Sequence, residues 1–239
     1  MFFIFLRILF LYKVNFFIVN KMQRILKTSE DGSSTVYSEQ TGETYHSIHG
    51  AYTESMHVFI NNGLSLVKSN KINVLEIGFG TGLNAWLSYI YAINKGLEIS
   101  YDAYELYPLP FSLVNLLTYK DIYPEKQEKF ELIHSVPWET TAKIDHNFYL
   151  SKKCSDITVC TFNGIYDMVY FDAFSPDSQP EMWTGKVFEK IFQDMNHEGI
   201  LTTYCVKGIV KRALKEVGFK IEVLPGPPGK RHMLRAWKM

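Results

Sequence analysis

The segment VLEIGFGTGLN, residues 74 to 84, constrains the fold more than any other part of the chain. It places Gly78, Gly80 and Gly82 between a short apolar run and a stretch of helical character that extends to Ala92. Glycine has no Cβ, so it permits tight turns and lets a ligand approach the backbone closely. The segment therefore predicts a buried β-strand, a ligand-binding loop and a helix, which together form the first unit of an α/β sheet.

The glycine spacing and two acids indicate which ligand to expect. Gly-x-Gly-x-Gly differs from the dinucleotide pattern Gly-x-Gly-x-x-Gly, and the preceding Glu76 is typical of loops that bind the methyl donor S-adenosylmethionine, which has no pyrophosphate. Glu105 ends the next predicted strand, where a carboxylate can accept hydrogen bonds from both ribose hydroxyls. We therefore expect S-adenosylmethionine. A tight turn without a ligand and a solvated strand end remain the alternatives.

The residues expected to contact this cofactor come from the glycine loop, from the second strand end and from two later segments. They are Glu76, Gly78, Phe79, Gly80, Thr81, Gly82, Asn84, Glu105, Asp156 and Asp172. Asp156 is included on the condition that residues 149 to 158 reach the cofactor crevice.

Strand and helix patterns alternate along the rest of the chain. Strands are expected at residues 98–105, near 130–134, and at 165–171, 200–206, 220–224 and 233–237; helices are expected at 52–67, after Pro110, and at 186–195 and 210–217. The run IYDMVYF, residues 165–171, is nearly all apolar, as expected of a strand covered on both faces. This order predicts an α/β, Rossmann-like class I S-adenosylmethionine-dependent methyltransferase fold over residues 71–239, with a mostly parallel seven-stranded sheet and a closing antiparallel strand.

The N-terminal part is expected to be separate from this domain. Residues 22–70 predict a small β/α appendage that starts with a hairpin turning at Asp31 and Gly32. Residues 1–21 are apolar but are interrupted by Arg7, Lys13 and Asn15, and they contain no small-residue cleavage site. Three interpretations remain: translation from Met22 with an upstream gene-model extension, a membrane-surface helix, or a membrane span. If Met22 is the start, we expect no stable membrane association.

Charge and cysteine content exclude some functions. Lys and Arg together equal Asp and Glu at 25 each, so attraction to a polyanion would require local clusters of basic residues. The three cysteines have neither CxxC spacing nor an adjacent histidine pair, so we expect no metal site and a reduced, cytoplasmic protein.

The segment YFDAFSPDSQPEMWT, residues 170–184, follows the apolar strand and carries the most specific chemistry. It places Asp172 at the carboxyl edge of the predicted sheet, where ligands bind in such folds. Pro176 stiffens the loop, while Phe174 and Trp183 offer aromatic faces for a nucleic-acid base. A helix N-cap or turn acid is the structural alternative for Asp172.

Four segments resemble the MnmC-type tRNA methyltransferase family: IGFGTGLN, YFDAFSPDSQPEMWT, TYCVKGIVKRALKEVGF and PGPPGKRHMLRA. The resemblance covers roughly residues 36 to 239 and implies methylation of the exocyclic amine of a 5-aminomethyl-uridine, thiolated or not, at the tRNA wobble position. It implies that Asp172 orients the amine and helps take up its proton. The flavin-dependent half of bifunctional relatives is not expected here, so a separate enzyme would supply the aminomethyl group.

The resemblance also implies contacts with the tRNA anticodon loop. Lys211, Arg212, Lys230 and Arg231 would form a phosphate track, although a solvated face is the usual explanation for such charges. Tyr52 and Glu54 are further site residues by resemblance. Two other functions stay open, namely methylation of a small-molecule amine and a non-catalytic RNA- or nucleotide-binding module.

Overall fold

The parallel strands at the centre of the fold bring the predicted site residues to one edge of a sheet. The computed structural model describes residues 23–162 and 164–239, and the expectations for residues 1–21 lie outside the described residues. The strands are β1 (Arg24–Thr28), β2 (Ser34–Ser38), β3 (Glu43–Thr44), β4 (Lys71–Ile77), β5 (Glu98–Glu105), β6 (Thr140–Asp145), β7 (Phe148–Cys154), β8 (Tyr166–Phe171), β9 (Met195–Thr203), β10 (Lys220–Pro225) and β11 (His232–Trp237).

The helices lie between these strands. They are α1 (Ala51–Ser55), α2 (Leu83–Lys95), α3 (Phe111–Val114), α4 (Gln127–Ser135), α5 (Gly185–Gln193) and α6 (Gly208–Val217). Within the described residues, the main sheet has eight strands in the order β10-β11-β9-β8-β4-β5-β7-β6. Strands β9, β8, β4, β5 and β7 are parallel neighbours, while β10, β11 and β6 pair antiparallel. The predicted mostly parallel α/β fold is confirmed, with one strand more than expected.

Side chains of successive residues on the central strands enter opposite layers of the core, as the pleat requires. On β4, Val74 packs in the layer that contains Trp86 of α2, whereas Leu75 packs in the layer that contains Phe188 of α5. Both layers are buried, which explains the nearly continuous apolar sequence of β8. Among the helices of residues 23–162 and 164–239, none is both long and apolar enough to cross a membrane.

The prediction of a strand near residues 130–134 is wrong, because this segment is helix α4. Phe130 and Ile133 are three residues apart and both are buried on the same face of that helix. The strand that takes its place, β7, was not predicted because its sequence, FYLSKKC, contains two lysines. Lys152 is buried in it, and its ammonium donates to the carbonyl oxygens of Ile133 and His134 at 3.0 and 2.8 Å. These carbonyls end α4, where a helix favours a cation.

Three predicted helices are shorter than expected. The predicted helix over residues 52–67 is α1 followed by a π-helical turn, Met56–Asn61, and a 3-10 turn, Leu64–Leu66. Gly63 lies at this break and packs too closely for a side chain, because a Cβ there would lie 2.4 Å from the Met168 methyl carbon and 2.6 Å from the Phe59 carbonyl oxygen. The helix after Pro110 covers only α3. Helix α5 ends at Gln193, because β9 already begins at Met195, which pairs with Tyr166 ahead of a bulge.

The N-terminal strands form their own antiparallel sheet, in the order β1-β2-β3, at the carboxyl end of the parallel strands. The Arg24 guanidinium donates to the carbonyl oxygens of Tyr107 and Pro108, just after β5, at 2.7 and 3.1 Å. Asp31 in the hairpin turn accepts from the backbone N–H groups of Ser33 and Thr53 at 3.0 and 2.9 Å. The small sheet is thereby attached to both β5 and α1.

Candidate active site

A cleft of about 660 Å³ opens where the carboxyl ends of β4, β5 and β8 meet the small N-terminal sheet. One side, which we call the glycine wall, consists of residues 78–81 with Glu105 and Asp156. The other side, which we call the acidic wall, consists of Glu43, Glu54, Asp172, Phe174 and Lys230. The cleft therefore brings together residues that are far apart in sequence.

The glycine wall depends on backbone conformations that other residues rarely adopt. Gly78 and Gly80 have φ angles of 89° and 48°, both in the left-handed region. A Cβ on Gly78 would lie 2.6 Å from the carbonyl oxygen of Asp172, so the loop can approach the acidic wall only without a side chain there. The predicted tight, side-chain-free loop is therefore present, and Phe79 and Thr81 line the cleft beside these glycines.

Glu105 reaches the cleft from the end of β5. Its Oε2 accepts from the backbone N–H of Gly80 at 3.0 Å, and its Oε1 accepts from the N–H of Tyr107 at 2.9 Å. A carboxylate has about four acceptor positions, so these two bonds leave room for ribose hydroxyls. Glu105 thus both braces the glycine loop and presents free acceptor capacity to the cleft.

Three of the predicted cofactor residues support the site from behind and do not line the cleft. Glu76 is fully buried beneath the loop, and burial, followed by the charge of Asp172, raises its pKa well above the ordinary value. Gly82 precedes α2 with a φ of 70°, and a Cβ there would lie 2.6 Å from the His134 ring. Asn84 donates from its side-chain amide to Oδ2 of Asp172 at 2.8 Å. Direct contact with the cofactor is not supported for these three residues.

Asp156 meets the condition set for it, because the segment after β7 reaches the cleft. Ser155, Asp156 and Ile157 all line it. The Oδ1 of Asp156 accepts from the backbone N–H and the hydroxyl of Thr158, at 2.8 and 2.7 Å, which fixes this turn. The other carboxylate oxygen is the one available to a ligand.

Asp172 follows β8 directly and is half-buried at the floor of the acidic wall. Burial, with a smaller contribution from the negative charge of Glu54, raises its pKa to about 7, against the opposing effects of the Asn84 hydrogen bond and the Lys230 charge. A carboxyl group with this pKa exchanges protons near neutral pH, which is the property required of a general base. Asp172 therefore has the position and the pKa expected of the predicted base.

Glu54 and Lys230 form an ion pair beside Asp172. Glu54 is 4% exposed, and its Oε1 also accepts from the backbone N–H of Ser47 at 3.0 Å. The Lys230 ammonium lies 4.0 Å from the centre of the Tyr204 ring, and the Tyr204 hydroxyl donates to the Ala173 carbonyl at 2.9 Å. A buried carboxylate needs such a partner. The pair places one charge of each sign next to Asp172.

Phe174 is the aromatic residue of the predicted substrate site that lines the cleft, with its ring edge-on to Tyr45 at 4.9 Å between centroids. Trp183, predicted to offer a face to a base, does not line the cleft: its side chain is 3% exposed and packs on Phe171, and its indole N–H donates to the Phe174 carbonyl at 2.8 Å. Pro176 is also buried and does not line the cleft. Both residues support the loop instead of offering a surface to a base.

Of the predicted basic contacts, Lys230 alone lines the cleft. Arg212 on α6 and Arg231 after the last turn are exposed outside it, and Lys211 is half-buried on α6. Tyr52, proposed by resemblance, lies outside the lining as well; its hydroxyl is 3.3 Å from that of Tyr123.

Sequence reasoning missed the contribution of the N-terminal sheet. Arg24, Glu43, Tyr45 and His46 all line the cleft, although their segment was taken for an appendage. His46 is buried with its Nε2 2.7 Å from the Thr81 hydroxyl, and burial lowers its pKa to about 4. The run of polar and aromatic residues from 43 to 47, ETYHS, is the signal that was available.

Comparison with known proteins agrees with this site. A family model described as S-adenosyl-L-methionine-dependent methyltransferase matches residues 124–239. The tRNA 5-methylaminomethyl-2-thiouridine biosynthesis bifunctional protein MnmC of Azoarcus sp. is 28% identical over 225 residues, covering 88% of this chain and 35% of that protein. The MnmC of Leptospira interrogans is 29% identical over 217 residues, covering 84% and 33%. The structure of MnmC2 from Aquifex aeolicus has a TM-score of 0.71 at 25% identity, covering 90% of this chain and 70% of that one.

The chain is similar to MnmC-type methyltransferases over most of its length. It spans about a third of the length of the curated MnmC relatives it matches. Spermidine synthase from Thermotoga maritima, with a TM-score of 0.57 at 11% identity, shares the fold alone. The matching family model is described as S-adenosylmethionine-dependent, and the glycine wall fits this cofactor, because the backbone of residues 78–81 lines the cleft and Glu105 retains free acceptor positions.

Proposed function

We propose that this MnmC-type methyltransferase methylates the exocyclic amine of a 5-aminomethyl-uridine, with or without 2-thiolation, at the wobble position of tRNA in the cytoplasm. The single observation that carries the proposal is Asp172, a half-buried carboxyl group with a pKa near 7 at the junction of the two walls. The names of the relatives supply the substrate class, and the cleft supplies a group suited to an amine.

Methyl transfer requires a neutral amine, and the carboxylate of Asp172 can accept the proton that the amine must lose. A primary amine is mostly protonated near pH 7 and cannot attack a methyl group in that form. In its carboxylate form Asp172 attracts the ammonium group, orients it and accepts a proton from its nitrogen, so that the lone pair becomes available. S-adenosylmethionine, when bound, supplies an electrophilic methyl group on a sulfonium. Asn84 holds one oxygen of Asp172, which leaves the other for the amine.

Several other residues would position the substrate. Phe174 lines the cleft and suits contact with an unstacked base, and Lys230 carries a charge for a phosphate or a base oxygen. Lys211, Arg212 and Arg231 lie outside the cleft, where they would contact the backbone of the anticodon loop.

Nucleoside mass spectrometry of tRNA from a deletion strain tests the proposal. We expect the strain to accumulate a 5-aminomethyl-uridine without its methyl group, and the purified protein with S-adenosylmethionine to methylate that tRNA in vitro. Spermidine and related amines serve as competing substrates in the same assay. An unchanged tRNA nucleoside profile together with methylation of a small amine would replace the tRNA assignment with a small-molecule one.

A further inference from the structure

The carboxylate of Glu43 on β3 holds the loop that follows Asp172. It accepts from the backbone N–H of Ser175 at 3.0 Å, and the hydroxyls of Ser175 and Ser178 also donate to it. Glu43 and Ser175 are 132 positions apart, so this contact joins the N-terminal sheet to the main domain. Within residues 23–162 and 164–239, the carboxylate is occupied by these serine donors and forms no ion pair.

The contact fixes the part of the loop that carries the reactive side chains. Ser175 lies three positions after Asp172, and Phe174 lies between them. The ring of Phe174 packs on Tyr45, which follows β3 directly, and its backbone N–H donates to the Gln179 side chain at 3.1 Å. Glu43 and Tyr45 therefore hold adjacent points of one short loop from the same strand.

We propose that Glu43 is a positioning residue of the transfer reaction: it holds the loop from Asp172 to Ser178 so that Asp172 and Phe174 face the amine. The proposal rests on the proposed function of the cleft. Three of the roughly four acceptor positions of Glu43 are taken by the serine hydroxyls and the Ser175 N–H, so its main contacts are with the loop. Its effect on the reaction is transmitted through the loop.

The charge of Glu43 suits this role at neutral pH. Burial would raise its pKa, and the charge of Asp177 acts in the same direction, but the hydrogen bonds from Ser175 and Ser178 outweigh both and lower the pKa. The group is therefore ionised where the enzyme works, and hydrogen bonds to an ionised acceptor are stronger than neutral ones. Asp172, with its raised pKa, can change its protonation without loss of this support.

The test compares Glu43→Ala with Glu39→Ala in the full chain. Glu39 is an exposed acid in the turn directly after β2, and it does not line the cleft. We expect Glu43→Ala to lower kcat by about tenfold or more, because small displacements of reacting groups are costly. The KM for tRNA and the Kd for S-adenosylmethionine should stay within about twofold, because the binding contacts remain. The kcat of a Ser175→Ala/Ser178→Ala double variant should fall by about the same factor. Adding Glu43→Ala to that variant should lower kcat little further, because the three groups act as a unit.

Hydrogen exchange provides a readout that does not depend on turnover. Amides of residues 172–180 should exchange faster in Glu43→Ala than in the wild type, while those of α2 should be unchanged; Glu39→Ala should alter neither. A kcat within about twofold of the wild type, or unchanged exchange in this loop, would overturn the positioning role. A raised KM at unchanged kcat would instead make Glu43 a binding residue and would overturn it too. If the wild type fails to methylate tRNA, the proposed function fails, and the exchange comparison still decides whether Glu43 holds the loop.

Discussion

The two walls of the cleft are assembled differently. The glycine wall is largely local, because Gly78 to Thr81 are consecutive and Glu105 ends the neighbouring strand of the sheet. The acidic wall draws Glu43 from β3, Glu54 from α1, Asp172 from the end of β8 and Lys230 from the turn between β10 and β11. This contrast suggests a division of labour in which the local wall binds the cofactor and the assembled wall performs the chemistry. The walls meet at Gly78, whose missing side chain leaves room for the Asp172 backbone.

The sharpest test of this division is Asp172→Asn. The amide retains the size of the carboxyl group and can still accept from Asn84, but it cannot take a proton. We expect kcat to fall by about 10²-fold to 10⁴-fold, the usual contribution of general-base catalysis, with the Kd for S-adenosylmethionine nearly unchanged by calorimetry. Asp167→Asn, on the same strand but outside the cleft, is the control and should remain active. Full activity of Asp172→Asn would contradict the assignment of the chemistry to Asp172 and the acidic wall.

The converse test is Gly80→Val. Valine is strained at a φ of 48°, and its Cβ would lie 2.9 Å from the Tyr45 ring, so the loop must shift out of its binding conformation. We expect cofactor affinity to fall by about tenfold or more, because backbone approach to the ligand is blocked. Gly96→Val is a matched control: its φ is 67°, but no atom lies within 4 Å of the added Cβ. If Gly96→Val lowered cofactor affinity as much as Gly80→Val, the loss would come from backbone strain in general and not from a change in the glycine loop.

The different assembly of the walls also explains how much the sequence could predict. Glycines that follow an apolar strand indicate a loop wherever they occur, so residues 74–84 were informative without the rest of the chain. Asp172 was found because it directly follows a strand of nearly continuous apolar sequence. Glu43 lies in a run of polar and aromatic residues, but its role could not be read from that run, because it depends on Ser175, which the fold brings from 132 positions away. Strand β7 was missed for a related reason, since buried Lys152 is balanced by carbonyls of a helix that is distant in sequence.

A smaller effect concerns tRNA docking outside both walls. The charge-reversed variant Lys211→Glu/Arg212→Glu should raise the KM for tRNA by about tenfold and lessen its dependence on salt, because each lost phosphate contact reduces the salt slope by about one. Cofactor affinity and kcat at saturating tRNA should be unchanged, because neither residue lines the cleft. Lys95→Glu, at the end of α2, is the control for a change of surface charge. An unchanged KM would place the tRNA on another face.

The smallest expected effect is a shift in the pH profile set by the ion pair beside Asp172. Only the carboxylate form of Asp172 accepts a proton, so kcat/KM should rise with pH through the pKa of this group. The negative charge of Glu54 raises that pKa and the positive charge of Lys230 lowers it. Glu54→Gln should therefore move the rising limb to lower pH, and Lys230→Met should move it to higher pH, each by roughly 0.5 to 1 unit. The double variant should return close to the wild-type position, whereas Glu39→Gln should not move the limb. If both single variants moved the rising limb of kcat/KM in the same direction, the shift would come from a structural change at the ion pair. The charges of Glu54 and Lys230 would then not set the pKa that the limb measures.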